Sequence, residues 1–225
     1  MSNSIGTLRE SSFHNALKYW YKEPGDKIEE PIDNYIIDIV RGNLLIEIQT
    51  GNFSSIRKKL EKLTESYEVR LVYPIVRDKL IVKMDVGGNK VISMRNSPIH
   101  GTYCDIFKEL IRIPHLVPKW NFSIEVMLLQ IEEIRKNDNK GSWRRKDMSI
   151  YNRKLVKVLE RKQFCTPIDF LMLKPNSLRT PYTNIELAHS LNKPLRLAQK
   201  MSYRLRKMEI VKIAGKKGRS FLFDY

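Results

Sequence analysis

Two β-branched segments joined by a glycine-containing dipeptide constrain the fold of this 225-residue chain more than any other feature. Residues 35–40 and 44–49 are rich in isoleucine and valine, as strands are. Between them, Gly42-Asn43 is a favoured two-residue turn of a β-hairpin. Because so short a turn fixes the register, Asp38 is predicted to stand directly opposite Glu47. The sequence therefore predicts an antiparallel hairpin that carries two carboxylates side by side.

The segments around this hairpin alternate between helical and extended patterns. A helix is predicted from a capping box at Thr7 to about Tyr21, and another over residues 54–67. Strands are predicted over residues 27–32, 69–74 and 79–84, the first suited to a sheet edge by its proline. Helical spacing favours further helices over residues 122–135 and 151–162. The order indicates a mixed α/β domain.

Composition limits the classes of protein that this chain can belong to. No apolar run approaches the ~18–20 residues of a membrane helix, and the first residues lack a secretory signal. Only two cysteines occur, far apart, which favours a reducing compartment. We therefore expect a cytoplasmic, nucleoid-associated protein with no membrane partner. The formal net charge of +16 points to a polyanion, commonly nucleic acid.

The positive charge is concentrated towards the end of the chain. Residues 161–225 contain 14 Lys+Arg and 4 Asp+Glu, a net charge of +10, whereas the first 160 residues carry 27 and 21, a net of +6. In this segment Thr166-Pro167 begins a short helix, and a second capping box at Thr183 begins another. A longer helix is predicted over residues 195–208, followed by strands over 210–214 and 219–223 around a Gly-Lys-Lys-Gly loop. A solvated lysine-rich surface is the alternative reading of these charges.

This order of elements resembles the winged helix-turn-helix family over the last 60 residues. The resemblance implies a helix in the major groove of DNA and a hairpin tip on the flanking phosphates. The implied helix contacts are Arg196, Gln199, Lys200, Tyr203, Arg204 and Lys207. The implied hairpin contacts are Lys216, Lys217 and Arg219. Winged helices also serve as protein-binding modules, but the exposed face here is cationic rather than apolar.

The carboxylate pair in the hairpin points to a metal ion. Like charges directly opposite each other destabilise a sheet, and Asp38 and Glu47 are predicted to be about 4.5–5.5 Å apart at their β-carbons. A hard divalent cation, Mg²⁺ or Mn²⁺, removes that conflict because it prefers carboxylate oxygens. Alternation along the strand also places Gln49 on the same face as Glu47.

An acidic residue followed by Glu47-Ile48-Gln49 in a hairpin, then a helix and a strand, resembles the PD-(D/E)xK nuclease superfamily. By that resemblance Asp38, Glu47 and the Ile48 carbonyl hold the catalytic metal, and Glu10 on the first helix assists. The resemblance implies that this metal activates water for phosphodiester hydrolysis. Gln49 departs from the family pattern because it occupies the usual lysine position. Lys58 or Lys59 on the next helix is a candidate for the missing cation.

Structural roles remain open for each of these residues. Glu10 also fits as the third residue of a capping box, and the carboxylate pair also fits an exposed sheet face paired with lysine or arginine. Gln49 is compatible with a domain that has lost catalysis. His14 is interpreted as a packing or surface residue. Arg144, Arg145 and Lys146 form either a phosphate-contacting loop or a solvated charge run.

The predicted architecture has three parts. A restriction-endonuclease-like mixed sheet flanked by helices occupies residues 1–142, a basic helical linker residues 143–165, and a winged helix-turn-helix residues 166–225. The chain as a whole also resembles an uncharacterised prokaryotic protein group with this layout. The expected function is a metal-dependent DNA endonuclease acting on double-stranded DNA. A non-catalytic DNA-binding regulator is the first alternative, and an RNA-directed protein is the second. Double-strand cutting with one site per chain favours a homodimer.

Overall fold

The computed structural model describes residues 12–85, 87–138, 141 and 148–225. The first half contains α1 (Ser12–Tyr21), β1 (Lys27–Ile32), β2 (Tyr35–Arg41), β3 (Leu44–Ile48), α2 (Phe53–Leu63), β4 (Glu68–Met84) and β5 (Val91–Asn96). Two short 3₁₀ helices follow, Tyr103–Lys108 and Leu110–Arg112. The rest comprises β6 (Phe122–Lys136), β7 (Ser149–Phe164), α3 (Pro167–Leu171), α4 (Asn184–Leu191), α5 (Leu195–Lys207), β8 (Lys212–Lys217) and β9 (Ser220–Asp224).

Within the described residues, β1 to β7 form a mixed sheet of seven strands. Its order is β1-β2-β3-β4-β6-β7, and β5 pairs with the far end of β4. The β3–β4 and β4–β6 pairs are parallel, and the others are antiparallel. The mixed α/β class and the predicted β2–β3 hairpin are thus confirmed. The two strands predicted over 69–74 and 79–84 are one strand, which continues through a register shift between Val76 and Asp78.

The helix predicted over residues 122–135 is wrong, because these residues form β6. This strand lies between β4 and β7, and its first eight residues, 122–129, are all buried. A strand buried on both faces shows a nearly continuous apolar run instead of alternation. At 15 residues it is also longer than most strands, so its length favoured a helix.

The helix predicted over residues 151–162, in the expected linker, is also wrong. Residues 149–164 form β7, which pairs with β6 along its length and closes one edge of the sheet. Its exposed lysines and arginines protect an edge strand from pairing with another chain. The same charges, which alternate with apolar residues such as Leu155 and Val158, imitate an amphipathic helix in the sequence.

Apolar residues cover both faces of the sheet. On one face, Leu17 and Tyr21 of α1 pack with Ile39, Ile46 and other sheet residues. On the other face, α2 and both 3₁₀ helices share a continuous core with α3, α4 and α5. The last segment of the chain is therefore packed onto the sheet domain rather than separated from it. Within the described residues, no helix is long and apolar enough to cross a membrane.

Aromatic side chains join the two parts of that second core. Phe164, the last residue of β7, stacks on Phe170 of α3 with ring centroids 4.6 Å apart. Phe170 in turn meets Phe107 of the first 3₁₀ helix edge-on at 6.1 Å. All three rings are almost completely buried, so separating the parts would expose them to water.

Candidate functional site

The sheet loses its regular geometry at Asp38, the first predicted site residue. In β1, Glu29 stands where a partner of Asp38 is expected, but its φ of 56° is left-handed and the pairing is interrupted there. Lys18 of α1 contacts the Glu29 carboxylate at 2.5 Å. Ile37 packs on the α2 side of the sheet and Ile39 on the α1 side. Since residues two apart normally share a face, β2 turns at Asp38.

The register predicted for the β2–β3 hairpin is confirmed. Arg41 pairs with Leu44, and the same register continues inward to Ile39 opposite Ile46. One step further, Asp38 no longer forms a regular pair, and its Oδ2 accepts a hydrogen bond of 2.8 Å from the Ile48 backbone N–H. The carboxylate of Asp38 is therefore held in the gap where β2 and β3 separate.

Glu47 is buried beside it and paired with a lysine of α2. Lys59 Nζ lies 2.5 Å from Glu47 Oε1 and donates a 2.6 Å hydrogen bond to the Ile36 carbonyl. The glutamate side chain is only 6% exposed and that of Lys59 16%. Of the two lysines predicted as candidates for the missing cation, the structure thus brings Lys59 to the carboxylates. Lys58 is exposed to solvent.

His14 completes the constellation from the α1 side. Its Nε2 lies 2.6 Å from the Ile48 carbonyl oxygen and 3.5 Å from Asp38 Oδ2. The ring thus contacts two predicted metal ligands, and these contacts are compatible with the interpretation of His14 as a packing residue. The predicted contributor Glu10 lies outside the described residues.

The two carboxyl groups differ in their affinity for protons. Burial raises the pKa of Glu47 to about 7, with a further contribution from Asp38 and against the attraction of Lys59. Burial also acts to raise the pKa of Asp38, but the His14 ring and the Ile48 N–H outweigh it and hold that pKa below its usual value. Asp38 is thus charged throughout the neutral range, whereas Glu47 gains its charge only as the pH approaches neutrality.

Gln49 does not join the carboxylates. Its side-chain amide donates to the Gly51 carbonyl and lies 3.5 Å from Ser55 Oγ at the start of α2. Its backbone N–H donates to the Val72 carbonyl at 2.9 Å, which extends the contact of β3 with β4. In this conformation the side chain of Gln49 stabilises the turn after β3. Its amide therefore does not lie beside Asp38 and Glu47, where the resemblance places it.

The donor set suits a small hard cation. Asp38, Glu47 and the Ile48 carbonyl offer oxygen atoms, which Mg²⁺ prefers, and Mg²⁺ commonly uses one or two carboxylates and retains water. Glu47 Oε1 is buried and has no aligned hydrogen-bond donor. The Ile48 oxygen has a second lone pair beside the one directed at His14. No group of three or more His, Cys, Asp or Glu side chains in the described part of the chain is arranged to hold a metal.

The last segment presents a second set of predicted site residues. The helices predicted after Thr166 and Thr183 are confirmed, each with its capping box, as is the longer helix α5. Its predicted buried face is confirmed too, including Leu197, Met201 and Leu205. The exposed side carries Arg196, Gln199, Tyr203, Arg206 and Lys207, while Lys200 is half-buried. Arg206 was not predicted as a site residue.

The placement of Arg204 on the exposed face of α5 is wrong. Its side chain is buried, and one guanidinium nitrogen donates a 3.0 Å hydrogen bond to the Ile111 carbonyl of the second 3₁₀ helix. The guanidinium also lies over the Tyr203 ring, 4.8 Å from its centroid. Arg204 fastens α5 to the sheet domain and is not available to a phosphate.

The terminal hairpin has a tighter turn than the sequence suggested. Lys217 pairs with Ser220, so Gly218 and Arg219 form the turn, with Gly218 at a φ of 62°. Lys217 lies 3.0 Å from Glu186 of α4, which leaves Lys212, Lys216 and Arg219 as the cations of this hairpin without a carboxylate partner among the described residues. Arg144, Arg145 and Lys146 lie outside the described residues.

A cleft of about 920 Å³ lies between α5 and the sheet domain. Thr50 and Asn52, just beyond β3, line it together with residues 73–76 of β4. Its cationic residues come from the first 3₁₀ helix, the second 3₁₀ helix and the start of α5: Lys108, Arg112, Lys193, Arg196 and Lys200. The first of its lining residues, Thr50, follows Glu47 by three positions in the chain.

Comparisons with known proteins place the sheet domain in a family. Residues 11–165 match the family model described as "Domain of unknown function (DUF8091)", and the chain belongs to that family. The match ends one residue after β7, so the β6–β7 pair falls within the family domain. A relative from Treponema pallidum (strain Nichols), named "Uncharacterized protein", is 30% identical over 162 residues. That alignment covers 72% of this chain and 64% of the relative, less than two thirds of its length. No solved structure matches the chain.

The sequence contained a signal that distinguishes Lys59 from Lys58. Ile56 and Leu63, on the predicted buried face of α2, are three residues before and four residues after Lys59. Side chains at those spacings lie on one helix face, so the helical phase directs Lys59 towards the sheet and Lys58 away from it. The contact of His14 with Ile48 had no comparable signal, because it depends on how α1 crosses the sheet.

Proposed function

We propose that this protein is a divalent-metal-dependent DNA endonuclease of the PD-(D/E)xK type, with Lys59 in place of the usual lysine after the glutamate. The observation that carries the proposal is the meeting of three elements at one point. Asp38 from β2 and Glu47 from β3 converge where those strands separate, and Lys59 of α2 contacts Glu47 at 2.5 Å. These are the residue types that the resemblance requires, although the lysine comes from a different position.

Asp38, Glu47 and the Ile48 carbonyl are the residues that would hold the metal. When bound, Mg²⁺ or Mn²⁺ supplies Lewis-acid polarisation of the phosphodiester and lowers the pKa of a water molecule. Lys59 Nζ supplies positive charge where negative charge develops on the phosphoryl oxygens. Its hydrogen bond to the Ile36 carbonyl holds the ammonium group beside Glu47.

The C-terminal segment supports a DNA-delivering role. Its element order, three helices followed by a β-hairpin, is that of a winged helix-turn-helix, and Tyr182 adds a short antiparallel bridge to Phe223 of β9. The exposed cations of α5 and of the hairpin are free to meet phosphates. Long side chains such as Arg206 and Lys207 at one helix surface match the charge of a duplex backbone.

A non-catalytic regulator is the second candidate, favoured by the internal charge balance of the same site. Lys59 already neutralises Glu47, and Asp38 is satisfied by the Ile48 N–H and by His14. A site that needs no metal for stability is compatible with a domain that binds DNA without cutting it. This candidate predicts a gel shift with no turnover.

The test is cleavage of supercoiled plasmid by the full chain in Mg²⁺ or Mn²⁺, with EDTA as one control. Asp38→Asn and Glu47→Gln preserve shape and remove the charges, while Glu132→Gln on β6 is a matched control away from the site. We expect nicking or linear product that disappears with EDTA and with either site variant, and that persists in the control. Cleavage that is indifferent to both site variants would exclude this site as its source. DNA binding without cleavage under any of these conditions would favour the regulator.

A further inference from the structure

The cleft between α5 and the sheet domain has an excess of positive charge that the protein leaves uncompensated. Its lining contains five cations, from Lys108 to Lys200, and two carboxylates, Asp105 and Glu109, which leaves a net charge of +3. Both carboxylates already serve the fold. Asp105 pairs with Lys108 at 2.5 Å and closes the capping box at Thr102, and Glu109 accepts a 3.1 Å hydrogen bond from the Phe53 N–H that begins α2.

Three of the cations in the cleft have no side-chain partner among the described residues. In the described part of the chain, Arg112, Arg196 and Lys200 have neither an ion pair nor a side-chain hydrogen bond, although two different segments bring them to one cleft. Lys193 adds a fourth positive charge and donates to the His100 carbonyl at 3.2 Å. Like charges converging on a concave surface repel one another, and an anionic ligand would relieve that repulsion.

The walls of the cleft are held at a fixed separation. Arg204 ties α5 to the second 3₁₀ helix, and Lys193 ties the start of α5 to His100. On the sheet side, a Cβ on Gly101 would collide with the Val76 carbonyl, so the backbone approaches β4 as closely as glycine allows. Widening the cleft would therefore disrupt buried contacts.

The size of the cleft limits which form of nucleic acid can enter it. A volume of about 920 Å³ lies near the upper end of the ~300–1,000 Å³ typical of small-ligand pockets. A duplex, whose major groove alone is about 12 Å wide, is too bulky for such a space, whereas one unpaired strand of a few nucleotides is not. Grooves that bind single strands follow the backbone with cations and stack the bases on aromatic side chains. Among the lining residues, Ile99 offers an exposed apolar side chain, while Ile75 and the aromatic ring of Tyr73 are buried.

We propose that this cleft binds the phosphodiester backbone of an unpaired DNA strand. The inference rests on the proposed function in that it takes nucleic acid as the ligand, and it deepens that function by naming the form of the nucleic acid. Duplex DNA would lie on the exposed cations at the end of α5 and on the terminal hairpin, while an unpaired strand enters the cleft. The preferred substrate is then a junction between duplex and single strand.

The experiment measures binding alone, in EDTA, by fluorescence anisotropy of the full-length protein. The probes are an oligothymidine of about 12 nucleotides, within the site sizes of single-strand-binding folds, and a duplex of equal length. A matched oligouridine distinguishes RNA from DNA as the source of the strand. Arg196→Ala/Lys200→Ala removes two cleft charges, and Arg206→Ala/Lys207→Ala removes two exposed charges from the end of the same helix, which does not line the cleft.

We expect the cleft variant to lower single-strand affinity about tenfold relative to duplex affinity, and the control variant to lower duplex affinity more than single-strand affinity. Because each double variant removes two positive charges, the loss of non-specific attraction to phosphate is the same in both and cancels in the comparison. Thermal unfolding checks that both variants are folded. The proposal is overturned if both variants weaken the two probes in the same proportion, or if the cleft variant spares single-strand binding. Because Asp38 and Glu47 remain intact and no cleavage occurs in EDTA, failure of the nuclease proposal leaves this result interpretable.

Discussion

The acidic site and the basic cleft differ in how their charged groups are compensated. At the acidic site, every charged group has a protein partner: Lys59 for Glu47, and the Ile48 N–H with His14 for Asp38. In the cleft, the carboxylates have partners, whereas Arg112, Arg196 and Lys200 have none among the described residues. The first region is stable by itself, and the second is complementary to a polyanion.

The difference shows where stability and binding reside. A buried ion pair contributes to a folded state only while both members are present, so the acidic site should respond to substitution mainly through stability and chemistry. Exposed cations contribute little to stability, so the cleft should respond mainly through affinity.

The largest expected effect on stability comes from removing the lysine of the acidic site. Lys59→Ala leaves Glu47 buried beside Asp38 without compensation, which costs up to about 3–5 kcal/mol of unfolding free energy. Lys58→Ala, one residue away and exposed, should stay within about 0.5 kcal/mol of the parent. Urea unfolding at pH 8 in EDTA measures both. Equal stability of the two variants would mean that the Lys59–Glu47 contact contributes nothing.

The raised pKa of Glu47 makes stability depend on pH. Between the ordinary glutamate pKa of 4.5 and the folded value of about 7, the unfolded chain has lost a proton that the folded chain retains. Stability in EDTA should therefore fall as the pH rises through this window, by at most about 1.4 kcal/mol per pH unit. Asp38 contributes no slope there, since its lowered pKa leaves it ionised in both states.

Unfolding of the parent and of Glu47→Gln at a series of pH values checks this. The slope between pH 4.5 and 7 should be smaller in the variant, because the group that retains the proton is gone. Parallel curves would assign the proton to another group.

A smaller loss of stability is expected at the junction between α5 and the sheet domain. Arg204→Ala removes the hydrogen bond to Ile111 and buried packing, at a cost of about 1.5–3 kcal/mol. Arg206→Ala, on the exposed side, is the matched control and should leave stability nearly unchanged. Thermal unfolding should show one transition for the parent, since the aromatic core is shared. Separate transitions for the two regions would contradict the shared core.

These contrasts also indicate what the sequence could predict. The β2–β3 register followed from the two-residue turn at Gly42-Asn43, and the caps at Thr166 and Thr183 followed from local chemistry. In contrast, β6 was obscured because burial on both faces removed its alternation. Arg204 was misplaced because the 3₁₀ helix that covers it is distant in sequence, and helical phase alone could not show that contact.

The smallest expected effect concerns the salt dependence of duplex binding. Loss of two phosphate contacts in Arg206→Ala/Lys207→Ala should reduce the slope of log affinity against log salt by about 1.8, at about 0.9 per contact. Arg196→Ala/Lys200→Ala should change the duplex slope less, because its cations face the cleft. A salt titration of both variants measures this. Identical slopes would show that both ends of α5 contribute equally to duplex binding.

The central claim is that Lys59 provides the cation that Gln49 cannot. The most direct test is plasmid cleavage in Mg²⁺ by Lys59→Gln and by the double variant Gln49→Lys/Lys59→Gln, which returns a lysine to the family position. We expect the single variant to lose cleavage by about a hundredfold or more and the double variant to regain a measurable part of it. Cleavage by Lys59→Gln at the parent rate would show that Lys59 does not supply the cation.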